Sequence, residues 1–459
     1  MLLEIRLLDI KKLAALLPLL VFLAGSVASA NSEILGTELT PVGADPKPST
    51  DGQIPAWTGG LTTPPDGYVK GEPHIDPYVG EKPLLKISAQ NVDQFRGSLT
   101  NTQLALISKF SDSYFLNVYK THRSCAAPEF VYEATKRNVE TATMVDDGNG
   151  FIGAYAGVPF PIPKSAKEIM WNYQTYYYGY RFSAKTTGGV MYDDGTFTRS
   201  QRNDIRYSLY NNPQASSTED LDGAIFRWMS IYAAPARING QAFTMTNTIN
   251  QLKKPRYGSM YRPDTRRVMR FIPSATSYDA PSFEGQGMRY FDDKFLFNGS
   301  MDRYDWELIG KKEIYIPYNV YKAVDKSVEL EELVTPGFLN PELIRHELHR
   351  VWVIEAKLKA EFNHVFHRRT FYIDEDSWIA VGADLYDKND DLIQGQLGFI
   401  KNYYEIPTCT LEFDVMHDLV NGRYNIDNLK LEFGPANLDD ANVKLNRFGP
   451  AALKRAVGR

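Results

Sequence analysis

The chain has 459 residues, a net charge of -5, 43% hydrophobic and 13% aromatic residues, and two cysteines. A mildly acidic chain of this size lacks the basic stripe that neutralises phosphates, which excludes a nucleic-acid binder and broad electrostatic docking on anionic lipid. The length allows a large core in one or two domains.

Residues 1–30 read as an export signal. Lys11 and Lys12 precede an apolar run from Leu13 to Leu23, and Ala28-Ser29-Ala30 has the small-x-small pattern that a signal peptidase cuts. The run is shorter than the roughly 20 apolar residues that span a bilayer. Cleavage after Ala30 takes Lys+Arg from 51 to 48 and Asp+Glu from 56 to 54, so the net charge moves from -5 to -6. No cysteine lies near the junction to carry a lipid anchor, and no later segment is apolar enough to cross a membrane. The expectation is an exported, soluble protein of the bacterial envelope.

Residues 31–90 form a distinct opening segment in which nine of the 26 prolines fall between Pro41 and Pro83. Proline fixes φ and removes a donor, so this stretch is neither helix nor central strand. It is an extended arm lying over the body or a flexible tail, and the embedded Ile54, Trp57 and Tyr68 favour the docked arm. The remainder, 91–459, reads as a single large β-rich domain with its helices mainly in 100–175. Thr100 caps a short helix through Leu104, Leu106 and Ile107; Pro128 stands at the first position of a helix running to about Ala142; Ser165 opens a third to about Tyr173.

From about Tyr176 the pattern changes to strands. Between Val351 and Lys359, Trp352, Ile354, Ala356 and Leu358 fall on one face while Glu355, Lys357 and Lys359 fall on the other, the period of two of a sheet with one wet face. Phe371–Ile373 and Trp378–Tyr386 flank the turn Asp374-Glu375-Asp376-Ser377, and Asp193-Asp194-Gly195 and Pro263-Asp264-Thr265 punctuate further apolar runs as hairpin loops do. A meander of long antiparallel strands follows.

Catalytic signatures are sparse. There is no nucleophile elbow, phosphate loop or dinucleotide fingerprint. His346, His349, His364 and His367 form two H-x-x-H pairs, but residues three apart in a strand point to opposite faces, so we expect solvated or edge histidines and no metal. The adjacent acids Asp292-Asp293 and Asp193-Asp194 read as solvated turn residues. Arg256, Arg262, Arg266, Arg267 and Arg270 alternate with apolar residues, which suggests a hairpin with one basic face: a solvated strand surface, or a docking surface for an acidic partner or lipid headgroup. An even cysteine count in an oxidising compartment permits a Cys125–Cys409 disulfide closing a loop worth roughly 5 kcal/mol; two buried free thiols are the alternative.

Four segments in order carry a family resemblance. They are Leu35-Gly36-Thr37-Glu38-Leu39 running on to Trp57-Thr58-Gly59-Gly60; Gly157-Val158-Pro159-Phe160-Pro161 leading to Trp171-Asn172; Arg303-Tyr304-Asp305-Trp306 with Ile316-Pro317-Tyr318-Asn319; and His349-Arg350-Val351-Trp352 through Trp378. Together they resemble the domain of unknown function 1329 family, exported proteins similar in fold to the lipoprotein-localisation factors LolA and LolB. The resemblance implies a β-rich α+β fold: a large curved antiparallel sheet, an incomplete β-barrel, with helices covering its concave face and the proline-rich arm in front. It also implies a non-catalytic, cofactor-free periplasmic carrier or chaperone of a hydrophobic small molecule or lipid, working with a resistance-nodulation-division (RND) exporter and an outer-membrane β-barrel. The face of Trp352, Ile354, Ala356 and Leu358 is the candidate pocket. The alternative function is a periplasmic adaptor joining inner- and outer-membrane components, with Arg262, Arg266, Arg267 and Arg270 as its docking face.

Overall fold

The computed structural model describes residues 32–271 and 285–457, so the export signal lies outside the described residues. Seventeen strands appear among them: β1 (Leu85–Ile87), β2 (Leu116–Val118), β3 (Thr143–Val145), β4 (Gly150–Ile152), β5 (Arg181–Met191), β6 (Phe197–Ser208), β7 (Ala224–Ala234), β8 (Ala242–Thr248), β9 (Tyr257–Arg262), β10 (Arg267–Phe271), β11 (Tyr304–Pro317), β12 (Arg345–Leu358), β13 (Arg368–Asp374), β14 (Ala380–Tyr386), β15 (Leu392–Tyr403), β16 (Thr408–Asp418) and β17 (Tyr424–Leu429). The helices are α1 (Asn101–Lys109), α2 (Glu129–Thr141), α3 (Ala166–Thr175), α4 (Leu330–Leu333) and α5 (Pro450–Val457). No helix of the described residues is long and apolar enough to cross a membrane.

Fifteen strands form one open sheet in the order β1-β2-β12-β13-β14-β15-β16-β17-β5-β6-β7-β8-β9-β10, with β11 on the other edge of β12. All its ladders are antiparallel except the short β2–β12 pairing. Among the described residues β10 and β11 do not pair, so the barrel stays open. The turns read from the sequence sit where expected, Asp193–Gly195 joining β5 to β6 and Pro263–Thr265 joining β9 to β10.

The helix starts follow local capping chemistry. Thr100 and Gln103 form a reciprocal capping box on α1, and the Ser165 hydroxyl accepts from the Glu168 N–H on α3. Pro128 stands one residue earlier than expected, at the N-cap of α2.

Register separates the two faces of the sheet. Leu397 and Phe399 pair with Val415 and Phe413 and share a cluster with Leu106 and Ile107 of α1. Ile400 pairs with Leu411, and both join Met416, with Ile169 and Trp171 of α3, in the larger cluster on the opposite face, here called the inner face. Helices thus cover both sides. That is why β14, β16 and β17 are buried at every residue, and why the wet face expected on β12 shrinks to Glu355 and Lys357: Val351 and Val353, on the same side, are buried.

The opening segment is docked. Its backbone carbonyls accept from side chains of the body: Asp45 from Arg123 (2.7 Å), Val42 from Trp378 (3.0 Å) and Lys47 from Arg350 (3.0 Å). Trp57 donates to the Cys125 carbonyl at 3.2 Å and Ile54 is fully buried. A proline-rich strand has few N–H groups to offer a sheet but keeps every carbonyl, so donors from the body are the chemistry that can hold it.

Candidate ligand cavity

The inner face carries far more charge than its sequence suggests. Arg202 binds Asp204 (2.8 Å) and Asp427 (2.6 Å), and Arg289 binds Asp414 (2.6 Å), while on the opposite face Lys401 binds Glu412 (3.1 Å), all buried. Burial alone would raise the Glu412 carboxyl, but Lys401 and Lys430 outweigh it and hold it at about 2. These pairs are mutually compensated, as buried charges must be.

Arg206 is the exception. It is 3% exposed, and its guanidinium lies over two rings, 3.7 Å from the centroid of Tyr178 and 4.4 Å from that of Phe226. Its Nε and Nη1 have no hydrogen-bond acceptor, and burial lowers its pKa. The β6–β7 register sets Arg206 opposite Trp228 and Ser208 opposite Phe226, so these side chains share one face.

That face is the wall of a cavity of about 30 Å³, lined by Tyr176, Tyr178, Phe182, Phe226, Trp228, Phe295 and Leu411 with the polar groups of Asp204, Arg206, Thr410, Asn428 and Lys430. The space would hold about two waters. Tyr176 keeps accessible surface, yet burial pushes its phenol well above the usual value. Phe295, whose ring is 5.9 Å from that of Trp228, enters from the loop before β11, where Phe295 and Leu296 hold positive φ of 54° and 79°. Consecutive left-handed side chains of this bulk cost about 1–3 kcal/mol each and concentrate at ligand clamps. Lys430 also lines a wider cleft of about 510 Å³ beneath Gly71–His74 of the arm, shared with Lys401 and Glu412.

A second polar cluster lies under the arm. Arg123 grips Asp376 with two bonds of 2.9 and 2.6 Å, Lys311 binds Glu375 at 2.6 Å, and Arg345 and Asn319 bind Glu347. His349 stacks on Tyr318, centroids 3.9 Å apart, between Glu347 and Asp374. His349, Asp374 and Asp376 bring ligand atoms within 4.8 Å of one another. With Arg123 already on Asp376 and Ser377 on Asp374, the cluster is supplied with its own donors and reads as a structural network tying the β13–β14 turn to the arm.

Several expectations need correction. His346, His349 and His364 are buried rather than solvated; only His367 of the four is exposed. Asp292 and Asp293 are likewise buried. Asp292 holds Arg369 (2.7 Å) and His364 (3.2 Å), which keep its carboxyl low against the burial that would raise it, while burial pushes Asp293 up to about 8. The arginine hairpin has no single basic face. Arg262 and Arg267 are cross-strand neighbours, Arg270 is three residues on and points the other way, Arg266 sits in the turn, and Arg256 is buried. On β10, the last strand of the sheet, such charges protect an open edge.

Trp352, Ile354, Ala356 and Leu358 pack into the main core beside Trp306, Phe371 and Ile373, and none of the four lines the cavities described here. Cys125 and Cys409 are bonded, with Cα atoms 5.3 Å apart, joining the segment after β2 to β16. The cavity residues carried one sequence signal that went unread, the aromatic run Tyr176-Tyr177-Tyr178 leading into β5.

Comparison with known proteins places the chain. It is 37% identical over 430 residues to the Pseudomonas aeruginosa uncharacterized protein PA3922, covering 94% of each. Among solved structures it is similar to a putative outer membrane lipoprotein-sorting protein domain from Vibrio parahaemolyticus (14% identity, 64% of this chain and 99% of that one, TM-score 0.43). It is also similar to the LolA superfamily protein NE2245 from Nitrosomonas europaea (11% identity, 62% and 98%, TM-score 0.37). The family described as Protein of unknown function (DUF1329) matches residues 86–454, and the chain belongs to that family.

Proposed function

We propose that this protein binds and carries an apolar small molecule or lipid, held on the inner face of the open sheet between Tyr176, Tyr178, Phe226, Trp228 and Phe295. The observation that supports the reading is the cavity itself: Tyr176, Tyr178, Trp228 and Phe295 line it, are only partly buried, and have apolar area still to bury. Each methylene placed there gains about 0.8 kcal/mol. At about 30 Å³ the space is far smaller than the roughly 300–1,000 Å³ of small-molecule sites, so loading requires movement, and the strained Phe295–Leu296 loop is the element to move. Work in the periplasm between an RND exporter and an outer-membrane β-barrel is the finer part of the proposal and rests on the family resemblance. The test is binding of the neutral fluorophore N-phenyl-1-naphthylamine. Saturable enhancement that weakens in Trp228→Ala supports the carrier; no enhancement, with no adduct in native mass spectrometry, refutes it.

A second reading, the adaptor, draws on the exposure of Arg262, Arg266, Arg267 and Arg270 together at one end of the sheet. An adaptor binds its protein partner without cargo and loses that binding when these arginines are reversed to glutamate; a carrier does not.

A further inference from the structure

Building on the carrier reading, we propose that the cavity takes an anionic amphiphile, its carboxylate or phosphate headgroup bound by the Arg206 guanidinium and its apolar body lying among the surrounding rings. The inference starts from an imbalance. The buried cations Arg123, Arg202, Arg289, Arg369 and Lys401 each have a carboxylate within 3.1 Å. Arg206, equally buried, has two ring faces and no acceptor for Nε or Nη1. A buried cation without a hydrogen-bonded counter-charge is costly, and the contrast with these five marks Arg206 as a place where an arriving anion would supply what the fold does not.

The rest of the wall fits the same charge. Lys430 donates to the backbone carbonyls of Glu412 and Asn428 and shares the Glu412 carboxylate, 3.9 Å away, with the closer Lys401. The one carboxylate of the lining, Asp204, is engaged by Arg202 and Ser230. An incoming anion therefore meets positive charge with free donors, while a cation meets repulsion. The guanidinium rests against the Tyr178 and Phe226 rings with Nε and Nη1 unbonded, and a guanidinium grips a carboxylate or phosphate through two parallel bonds. Trp228, across the ladder from Arg206, and Phe295 beside it set the apolar body next to the headgroup.

The experiment is displacement of N-phenyl-1-naphthylamine from the whole protein by ligands of one chain length, below their micellar concentrations: dodecanoate, dodecyl phosphate, dodecanol and dodecyltrimethylammonium. The expected result is that both anions displace the probe at concentrations about 10- to 100-fold lower than dodecanol, and the cation most weakly of all. Arg206→Gln should bring the ratio of anion to dodecanol potency close to one; Arg206→Lys should restore part of the ratio. Acetate and inorganic phosphate alone should not displace the probe. Equal displacement by dodecanol and dodecanoate in the unsubstituted protein overturns the headgroup assignment while leaving the carrier reading intact, and needs no variant to fold. Displacement by inorganic phosphate as effective as by dodecyl phosphate overturns it too, in favour of a free-anion site. Failure of the unsubstituted protein to bind the probe removes the carrier reading, and this proposal with it.

Discussion

Arg206 and Trp228 face one another across the β6–β7 ladder, so a buried charge and an indole share one cavity wall. Of the six tryptophans in the chain, Trp228 alone lines this cavity, and its emission should report loading. Binding of a non-fluorescent apolar ligand should shift or quench tryptophan emission, and Trp228→Phe should remove most of that change. Trp228→Ala should weaken an apolar ligand about tenfold, through lost ring contact. Titration followed by tryptophan fluorescence checks both. An unchanged signal in Trp228→Phe would place the ligand elsewhere.

The Cys125–Cys409 bond closes the longest covalent loop in the molecule, spanning 284 positions. Denatured, unreduced protein should show no titratable thiol. Replacing both cysteines by serine should cost about 2–5 kcal/mol, read as a lowered urea midpoint.

Arg123 is the cation beneath the arm, facing Asp376 and Glu375 while donating to the Asp45 carbonyl. Arg123→Met should destabilise by about 3–5 kcal/mol, because the buried Asp376 carboxylate loses its partner while Glu375 keeps Lys311. It should also loosen the arm specifically, so that limited proteolysis within residues 41–57 outpaces cleavage of the sheet. Uniform cleavage would show that the arm is held by its apolar contacts alone.

Asp293 and the buried histidines impose opposite pH dependences. Burial raises Asp293 from 3.8 to about 8, so between those values the folded state keeps a proton that the unfolded chain has lost. Its contribution to stability is complete at the acid end of that window and declines as pH rises towards 8. Burial lowers His346 and His417 from 6.5 to about 3, so their penalty appears as pH falls through that interval. Urea midpoints measured from pH 4 to 9 should therefore peak between the two. Asp293→Asn should flatten the alkaline limb and His346→Gln the acid limb; a variant curve parallel to that of the parent would exclude its residue.

How much of this could be read from the sequence depends on the range of the interaction. The capping box at Thr100, the Ser165 cap and the turns at Asp193–Gly195 and Pro263–Thr265 are set by residues a few positions apart, and were legible. The inner-face pairs were not, because Arg202 finds Asp427 225 residues along the chain, and nothing local marks either as buried. Alternation also misled. In Asp204-Ile205-Arg206-Tyr207 the polar positions would ordinarily face water, yet here they face the cavity while Ile205 packs under Leu453 of α5. Period two tells which residues share a face and leaves open which face is wet. The regular stripe of Trp352 to Leu358 packs into the core, and the cavity is assembled from short pieces of several strands and loops, two residues each from β6 and β7 among them.

Among the described residues β10 and β11 form no seam, and that has a mechanical meaning. A closed barrel has its radius fixed by strand number and stagger, and widening it means breaking a ladder. An arc with two free ends can change its curvature by small rotations shared among many strands, keeping every backbone hydrogen bond. In the carrier reading proposed above, a cargo larger than the resting cavity would be admitted by bending rather than by unfolding.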